Sequence, residues 1–531
     1  MKLLLVQPPI EDFYNTPIRS YPLGLIYLAT KVKDFYEVKI VDLRKGKKPK
    51  KSENPFQELS QYYKEDTYSP FSLFRRYGRY GLAEETIESL IKSEKPDVLC
   101  ISSLFSAYVG EVIRIAKMAK KIKGDMITIC GGHNATAVPH VLLREGCIDY
   151  VIRGEGETPL LELLCSLENR RLKRIKELPG LCFRENGEIL VSTKINFESE
   201  IDFVPHHGFV YNEDYLIGKK RYAFVITSRG CPYKCSFCSR MPVPYRERSL
   251  ASVESEIEAL RSLGIEWIDL EDDMLLHGKK RFIGLLNIFK GKGLTLSAMN
   301  GIYMEGLTSK LLKDMVEAGF KKINLSLVDV SPCVVKRQGR RFPKDLHDTL
   351  SRLESSELQM EIHFIVGLPN QKLEDVLKTM VYLSEKRCLL GPSVFYLTPG
   401  DPNVENVLGS DWTEKLHYMR SSVLLPANPF FSRNSLFTLL KLSRFINFVK
   451  RLVDSAESKL NLRDVRLSDE LDDQILKTLL KEKRFIAYDV KKNEFFEEPQ
   501  ERDIVETFFR LMRGKKIKGY KTANCAELGD E

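Results

Sequence analysis

The sequence predicts an α/β fold in three parts: an N-terminal doubly wound (Rossmann-like) parallel sheet, a partial (β/α)6 barrel, and a mostly helical C-terminal region. Two observations predict it. Strand-length apolar runs alternate with helical spacing from Lys2 to Arg153, and again from Tyr222 to Leu397, the pattern of right-handed βαβ units. Beyond Asp401 the alternation stops, and Leu436 to Val453 reads as one amphipathic helix. A chain of 531 residues is also too long for one ordinary core. Domains are expected at 1–170, 216–405 and 406–531, with a linker and hairpin over 171–215.

In the first series, strands are expected at Lys2–Gln7, Val38–Asp42, Val98–Ser102, Met126–Cys130 and Tyr150–Arg153. Helices are expected at Leu23–Lys33, Leu82–Lys92 and Glu111–Lys123. Ligands of such sheets lie beyond the carboxyl ends of the strands. Those ends carry Ser102-Ser103, Gly131-Gly132-His133-Asn134 and Gly154-Glu155-Gly156-Glu157. Small residues there leave room for a large ligand and expose backbone N–H groups, or they only make tight turns. No G-x-G-x-x-G occurs, which disfavours a dinucleotide. His133 and His140 stand nearby, and a lone His is more often a hydrogen-bonding or surface residue than a ligand.

Residues 40–80 are irregular. The stretch Lys45-Gly46-Lys47-Lys48-Pro49-Lys50-Lys51 reads as a solvated basic loop, and the aromatic-rich Tyr62 to Tyr80 as either a lid or a cover for the sheet. Asn186-Gly187 marks a hairpin turn. The second series has strands at Tyr222–Ile226, Trp267–Leu270, Leu294–Met299, Lys322–Leu327, Met360–Val366 and Ser393–Leu397, with helical spacing between them. Six such strands suit a partial parallel barrel. The polar end, Lys515 to Glu531, is expected to fray.

The chemistry is concentrated after the first barrel strand, where Cys231, Cys235 and Cys238 stand at Cys-x3-Cys-x2-Cys spacing. Three close thiolates suit an iron–sulfur cluster whose remaining iron is open to a small molecule. A zinc knuckle needs a fourth ligand close by, and no Cys or His follows before His277. The other cysteines are scattered, and Cys100 and Cys130 in apolar runs read as small buried hydrophobes. Hydrophobic content of 43% and charged content of 29% describe a soluble globular protein. The net charge of +9 is modest for this length, and no basic run interleaved with aromatics points to nucleic acid. The first apolar run stops at Pro8-Pro9, too short for a signal peptide. No stretch approaches the ~20 apolar residues of a membrane span. A cytoplasmic location, where thiols stay reduced, is expected.

The loop from Ser228 to Cys238 resembles the cluster motif of radical S-adenosylmethionine (radical SAM) enzymes. The resemblance implies that Cys231, Cys235 and Cys238 hold a [4Fe–4S] cluster whose open iron takes the amino and carboxylate groups of SAM. It places Phe237 near the adenine, and Gly367, in Gly367-Leu368-Pro369, where backbone approaches the adenine closely. Asp272 and Asp273 fall at the SAM ammonium, or serve as helix N-caps. Asn300 and Ser326 fall at polar cofactor contacts. One position departs from the family: relatives read Ser-Ile-Glu-Ser-Gly-Ser where this chain reads Ser326-Leu327-Val328-Asp329-Val330-Ser331. Ser326 and Asp329 are left to replace the missing Glu.

The segment Met1 to about Leu164 resembles the cobalamin-binding domain that precedes many radical SAM enzymes. The resemblance rests on Gln7-Pro8-Pro9, on Tyr21-Pro22-Leu23-Gly24-Leu25, on Gly131 to Thr136, and on Gly154 to Glu157. Cobalamin contacts are then expected at Ser102, Ser103, Gly131, Gly132, His133, Gly154, Glu155 and Gly156. The Asp-x-His-x-x-Gly signature is absent, so no His of that kind is expected on the lower face of cobalt. The two resemblances imply a class B radical SAM methyltransferase-like enzyme. Such an enzyme cleaves SAM reductively to a 5′-deoxyadenosyl radical and, with cobalamin, methylates an unactivated carbon. Its electrons would come from a donor such as flavodoxin or ferredoxin, and its C-terminal region would close the barrel mouth. Its substrate would be a small molecule or lipid-like compound. A cyclase or rearrangement enzyme is the alternative within enzymes, and a non-catalytic Fe–S/corrinoid redox protein the alternative outside them.

Overall fold

The structure is a computed structural model that describes residues 1–14, 20–44, 49–74, 76–170, 172–211, 215–456, 460–522 and 524–528. Most of the expected basic loop, Lys45 to Lys48, lies outside the described residues.

Strand β1 (Lys2–Gln7) is buried from Leu3 onward and pairs in parallel with β2 (Glu37–Asp42) and β3 (Val98–Ser102). Its side chains alternate between faces, so it feeds two cores. Leu3 and Leu5 meet α1 (Leu23–Val32) and α4 (Glu157–Glu168), while Leu4 and Val6 meet α2 (Glu84–Glu94) and α3 (Val109–Ile122). With β4 (Ile127–Gly131) and β5 (Tyr150–Ile152), the parallel order is β2-β1-β3-β4-β5. This is a doubly wound order that reverses between β1 and β3. The hairpin expected as a linker instead extends this sheet. Strands β6 (Leu181–Glu185) and β7 (Glu188–Leu190) add antiparallel at the β5 edge, turning at Asn186 (φ 49°) and Gly187 (φ 88°).

The second series runs β8 (Lys220–Val225), α5 (Leu250–Ser262), β9 (Trp267–Leu270), α6 (Lys279–Phe289), β10 (Thr295–Ser297), α7 (Ser309–Ala318), β11 (Lys322–Val328), α8 (Leu346–Glu354), β12 (Gln359–Val366), α9 (Leu373–Ser384) and β13 (Leu389–Val394). β8, β9 and β10 pair in parallel, as do β11, β12 and β13. The halves meet through isolated parallel bridges at Leu296–Phe320 and Ile302–Leu325. Helix α7 shows how local chemistry sets its limits. The Thr308 hydroxyl accepts from Leu311 N at 3.3 Å, and Gly319 ends the helix at φ 111°, where a Cβ would stand 2.2 Å from Leu294 O.

The last strand was expected at Ser393–Leu397 but runs Leu389–Val394, through Gly391-Pro392. Pro392 is tolerated because β13 is an edge strand, paired with β12 alone. Its outer side meets helix α10 (Arg433–Ser455), where Asn447 accepts from Leu390 N at 2.9 Å and donates to Leu390 O at 2.8 Å.

The C-terminal region is less helical than expected. Ile486–Asp489 and Glu494–Glu497 form a sheet with Thr67–Tyr68 of the aromatic-rich insertion, and Leu460–Asn461, Lys516–Lys518 and Cys525–Glu527 form another. The tail expected to fray is thus paired, with Ile517 and Ala526 fully buried. The insertion packs against this region: Phe71 meets Phe445 and Phe485, and the Tyr63 hydroxyl donates to Ser422 O at 2.7 Å. Among the described residues no helix is long and apolar enough to cross a membrane.

Candidate functional site

The strand ends of the first sheet are built around Ser103. Its N–H donates to Gly131 O at 2.7 Å, its carbonyl accepts from Asn134 N at 3.0 Å, and its hydroxyl accepts from Asn134 Nδ2 at 2.9 Å. Gly132 sits at φ 115°, where a Cβ would come 2.6 Å from Ser103 O. Ser102, Ser103, Gly131 and Gly132 therefore shape the loop, and the residues just beyond them face open space. Leu104 and Phe105 are exposed at 42% and 52%, and both line a cavity of about 1040 Å³.

The stretch after β5 has a different position. Gly154, at φ 90°, approaches so closely that a Cβ would lie 2.0 Å from Asn196 O. Glu155 pairs with Arg246 at 2.6 Å and with Arg229 at 3.3 Å, and the buried Glu157 pairs with Arg229 at 2.6 Å. Arg229 also lies 4.6 Å from the Tyr27 ring centroid. Gly154, Glu155 and Gly156 thus sit at the junction between the sheet and the cysteine loop, and they do not line the cavity.

That loop is fixed at both ends. The buried Asp272 accepts from Thr227 N at 3.1 Å, from the Thr227 hydroxyl at 2.8 Å and from the Ser228 hydroxyl at 2.5 Å. Gly230 takes φ 79° because a Cβ would stand 2.5 Å from Pro244 O. Further on, Ser236 N donates to Gln338 O at 3.1 Å and Cys238 N to Cys235 O at 3.1 Å. Burial pushes the Cys235 and Cys238 thiols up, each feels Cys231, and the Arg340 guanidinium beside Cys235 opposes the shift. The three thiols therefore share one neighbourhood, with Cys231 and Cys235 half-buried and Cys238 exposed. Among the described residues no group of three His, Cys, Asp or Glu side chains converges tightly enough to hold a single metal ion.

The remaining candidates are spread around this loop. Asp273 is exposed and acts electrostatically on both Cys238 and His133. Asp272 spends its carboxylate on Thr227 and Ser228, and burial pushes its pKa up. Asn300 donates to Glu271 O at 2.9 Å. Ser326 precedes a register shift that ends at Val328, buried at φ 75°, an unusual conformation for a β-branched residue. Asp329 is buried and accepts from Gln371 Nε2 at 2.8 Å, while Gln371 Oε1 accepts from Gly367 N at 2.9 Å. Burial raises the Asp329 pKa to about 6. Phe237 packs with Val138, Val328 and Leu368 in an apolar cluster that joins the two halves of the chain.

The cavity collects one side of each half. His133 and Leu104 enter from the first sheet, Cys238 and Ser239 from the cysteine loop, Gly391 from β13 and Arg444 from α10. His133 is open to this space yet set deep in the protein. Burial lowers its pKa, and the Ser239 backbone lies against it. Of the residues expected to bind cofactors, His133 and Cys238 line the cavity. Leu104, Phe105 and the cations of α10 were not anticipated. The available signal was a pair of large apolar residues directly after a polar strand end.

Comparison with known proteins agrees with this division. Residues 77–164 match the B12 binding domain family, and residues 225–383 match the radical SAM superfamily. An uncharacterized methyltransferase of Pyrococcus horikoshii is 28% identical over 72% of this chain and 77% of its own length. The cytidylyl-2-hydroxyethylphosphonate methyltransferase of Streptomyces wedmorensis is 27% identical over 69% of this chain and 73% of its own. The fold is shared with the radical S-adenosylmethionine methyltransferase TsrM of Kitasatospora setae, solved with cobalamin and a [4Fe–4S] cluster. That match has a TM-score of 0.57 at 17% identity, covering 77% of this chain and 79% of that one.

Proposed function

From the premise that this chain carries a B12-binding domain followed by a radical SAM domain, as the cobalamin-dependent radical SAM enzymes do, we propose that it methylates an unactivated carbon of a small-molecule or lipid-like substrate. The observation that carries this reading is the one cavity into which His133, from the first sheet, and Cys238, from the cysteine loop, both open.

The residues present fit the cofactors. Three neighbouring thiols, with no Cys or His following before His277 to complete a four-ligand zinc knuckle, suit a multi-iron cluster better than a zinc site. Cys231, Cys235 and Cys238 would hold that cluster. Asp273, the exposed carboxylate beside Cys238, would accept from the SAM ammonium. Leu104, Phe105, Tyr14 and Tyr396 are all large, exposed and lining the cavity, and they would lie against the corrin. When bound, these cofactors supply a carbon radical for hydrogen abstraction and a methyl group for transfer.

The chain itself supplies position. Asp272 fixes the start of the loop, and Gln338 and the Cys235–Cys238 turn fix its end. Electrons would come from a donor of the flavodoxin or ferredoxin kind. In support, both relatives above are named methyltransferases.

The test is an anaerobic reconstitution of the full chain with iron, sulfide, SAM, hydroxocobalamin and dithionite. The expected products are 5′-deoxyadenosine and a protein that keeps its corrinoid absorption after desalting. Complete absence of 5′-deoxyadenosine would sink the radical reading, and loss of the corrinoid would sink the methylation reading.

A further inference from the structure

The cavity is strongly biased in charge. Its lining includes six arginines (Arg44, Arg153, Arg240, Arg420, Arg444 and Arg451) against three carboxylates, Asp12, Glu361 and Asp401. Several of these charges already have partners. Arg420 pairs with Asp12 at 3.4 Å, and Arg153 donates to the carbonyls of Thr136 and Ser192. Glu361 pairs with Lys322 at 2.6 Å. Arg44 lies in the field of the buried Asp42.

Arg444 and Arg451 differ. Among the described residues neither guanidinium has a hydrogen-bond or ion-pair partner, and the two act on each other as like charges. They lie two turns apart on α10, about 10 Å along its axis at roughly 1.5 Å per residue, within joint reach of one ligand. Partial burial and Arg451 both disfavour the charge on Arg444 and Glu361 favours it, while both arginines are solvent-exposed and line the cavity, free to meet a ligand there.

The helix that carries them is held firmly. Ser432 and Ser435 form a capping box, Asn447 bonds both backbone groups of Leu390, and the buried Lys450 donates to the carbonyls of Ser384, Lys386 and Lys518. Two exposed guanidinium groups on a fixed helix, both lining the cavity, offer paired donors to a planar or tetrahedral oxyanion.

We propose that the substrate carries an oxyanion, a carboxylate or a phosphoryl group, which Arg444 and Arg451 bind together at the α10 end of the cavity. The proposal rests on the reading of this cavity as the reaction chamber. The oxyanion anchors the substrate by a group remote from the carbon that reacts, so that binding energy fixes position without taking part in the chemistry.

The test uses the full chain with its cluster reconstituted, treated with phenylglyoxal, and modification read at each arginine by peptide mass spectrometry. Millimolar inorganic phosphate or acetate is expected to slow modification of Arg444 and Arg451 about tenfold, while the exposed Arg466 keeps its rate. Protection by phosphate alone identifies a phosphoryl group, and protection by acetate alone a carboxylate. In Arg444→Gln, with an unchanged thermal unfolding curve, protection at Arg451 is expected to disappear because one ion bridges both. The proposal is overturned if neither anion protects the pair, if SAM or hydroxocobalamin alone protects it, or if protection at Arg451 survives in Arg444→Gln. Formation of 5′-deoxyadenosine on the same preparation reports the radical reading separately.

Discussion

Arg229 donates to Glu157 at 2.6 Å, tying the position two residues before the first cluster-motif cysteine to the first turn of α4. Both side chains are nearly buried, and Arg229 also faces Glu155 and the Tyr27 ring. Removing one member of such a pair strands the other in a poor solvent. Arg229→Met is expected to cost about 3–5 kcal/mol, read by denaturant unfolding. A cost near zero would mean that the carboxylates find other partners.

Asp272 and Asp273 are adjacent but do different work, and one substitution at each separates them. Asp272→Asn replaces one accepting carboxylate oxygen by an amide N–H that faces the donors of Thr227 and Ser228, at a cost of about 1–3 kcal/mol. Iron content after desalting should fall, while SAM affinity in the loaded fraction stays near wild type. Asp273→Asn should keep its iron and bind SAM about tenfold more weakly. Equal SAM affinities in wild type and Asp273→Asn would remove Asp273 from the cofactor site.

The pH dependence of stability has a defined sign at Asp329. Its folded pKa, raised by burial to about 6, lies above the unfolded carboxyl value, so the folded state holds the proton longer. Its contribution is fully favourable below the unfolded pKa and is lost as pH rises through the folded one. Between about pH 4 and pH 6, wild-type stability should drop by up to about 3 kcal/mol from this group. Asp329→Asn should flatten that slope in a series of urea melts. An unchanged slope would assign it to other groups.

Gly132→Ala tests the loop beneath His133. At φ 115° and with a Cβ 2.6 Å from Ser103 O, the alanine must move the loop, at about 1–3 kcal/mol of strain. Corrinoid retention is expected to weaken, while reductive SAM cleavage in the other half persists. Wild-type retention would show that the Ser103–Gly132 contact does not shape the corrinoid surface.

Much of the architecture was readable because continuous apolar runs set strands such as Lys2–Gln7 and Val98–Ser102, which the structure reproduces at both limits. The last barrel strand was misplaced because Gly391-Pro392 reads locally as a break, and only its edge position makes the proline harmless. The short C-terminal strands carry too much charge to show an alternating pattern. At the site, the three cysteines declared themselves by spacing. The partners of Glu155 did not, since Arg246 stands 91 residues away in the chain. Arg444 was equally hidden: on a helix its charge reads as a solvated face, and only the fold sets that exposed face against the cavity.

Asn447 covers the outer edge of β13. By occupying both backbone groups of Leu390, it denies β13 to any passing strand. Yet α10 follows β13 by almost forty residues in the chain. A nascent protein emerging N-terminus first presents that bare parallel edge before its cover exists, and exposed edges recruit neighbouring chains. Synthesis rate and chaperone supply, more than final stability, should therefore govern the yield of soluble protein.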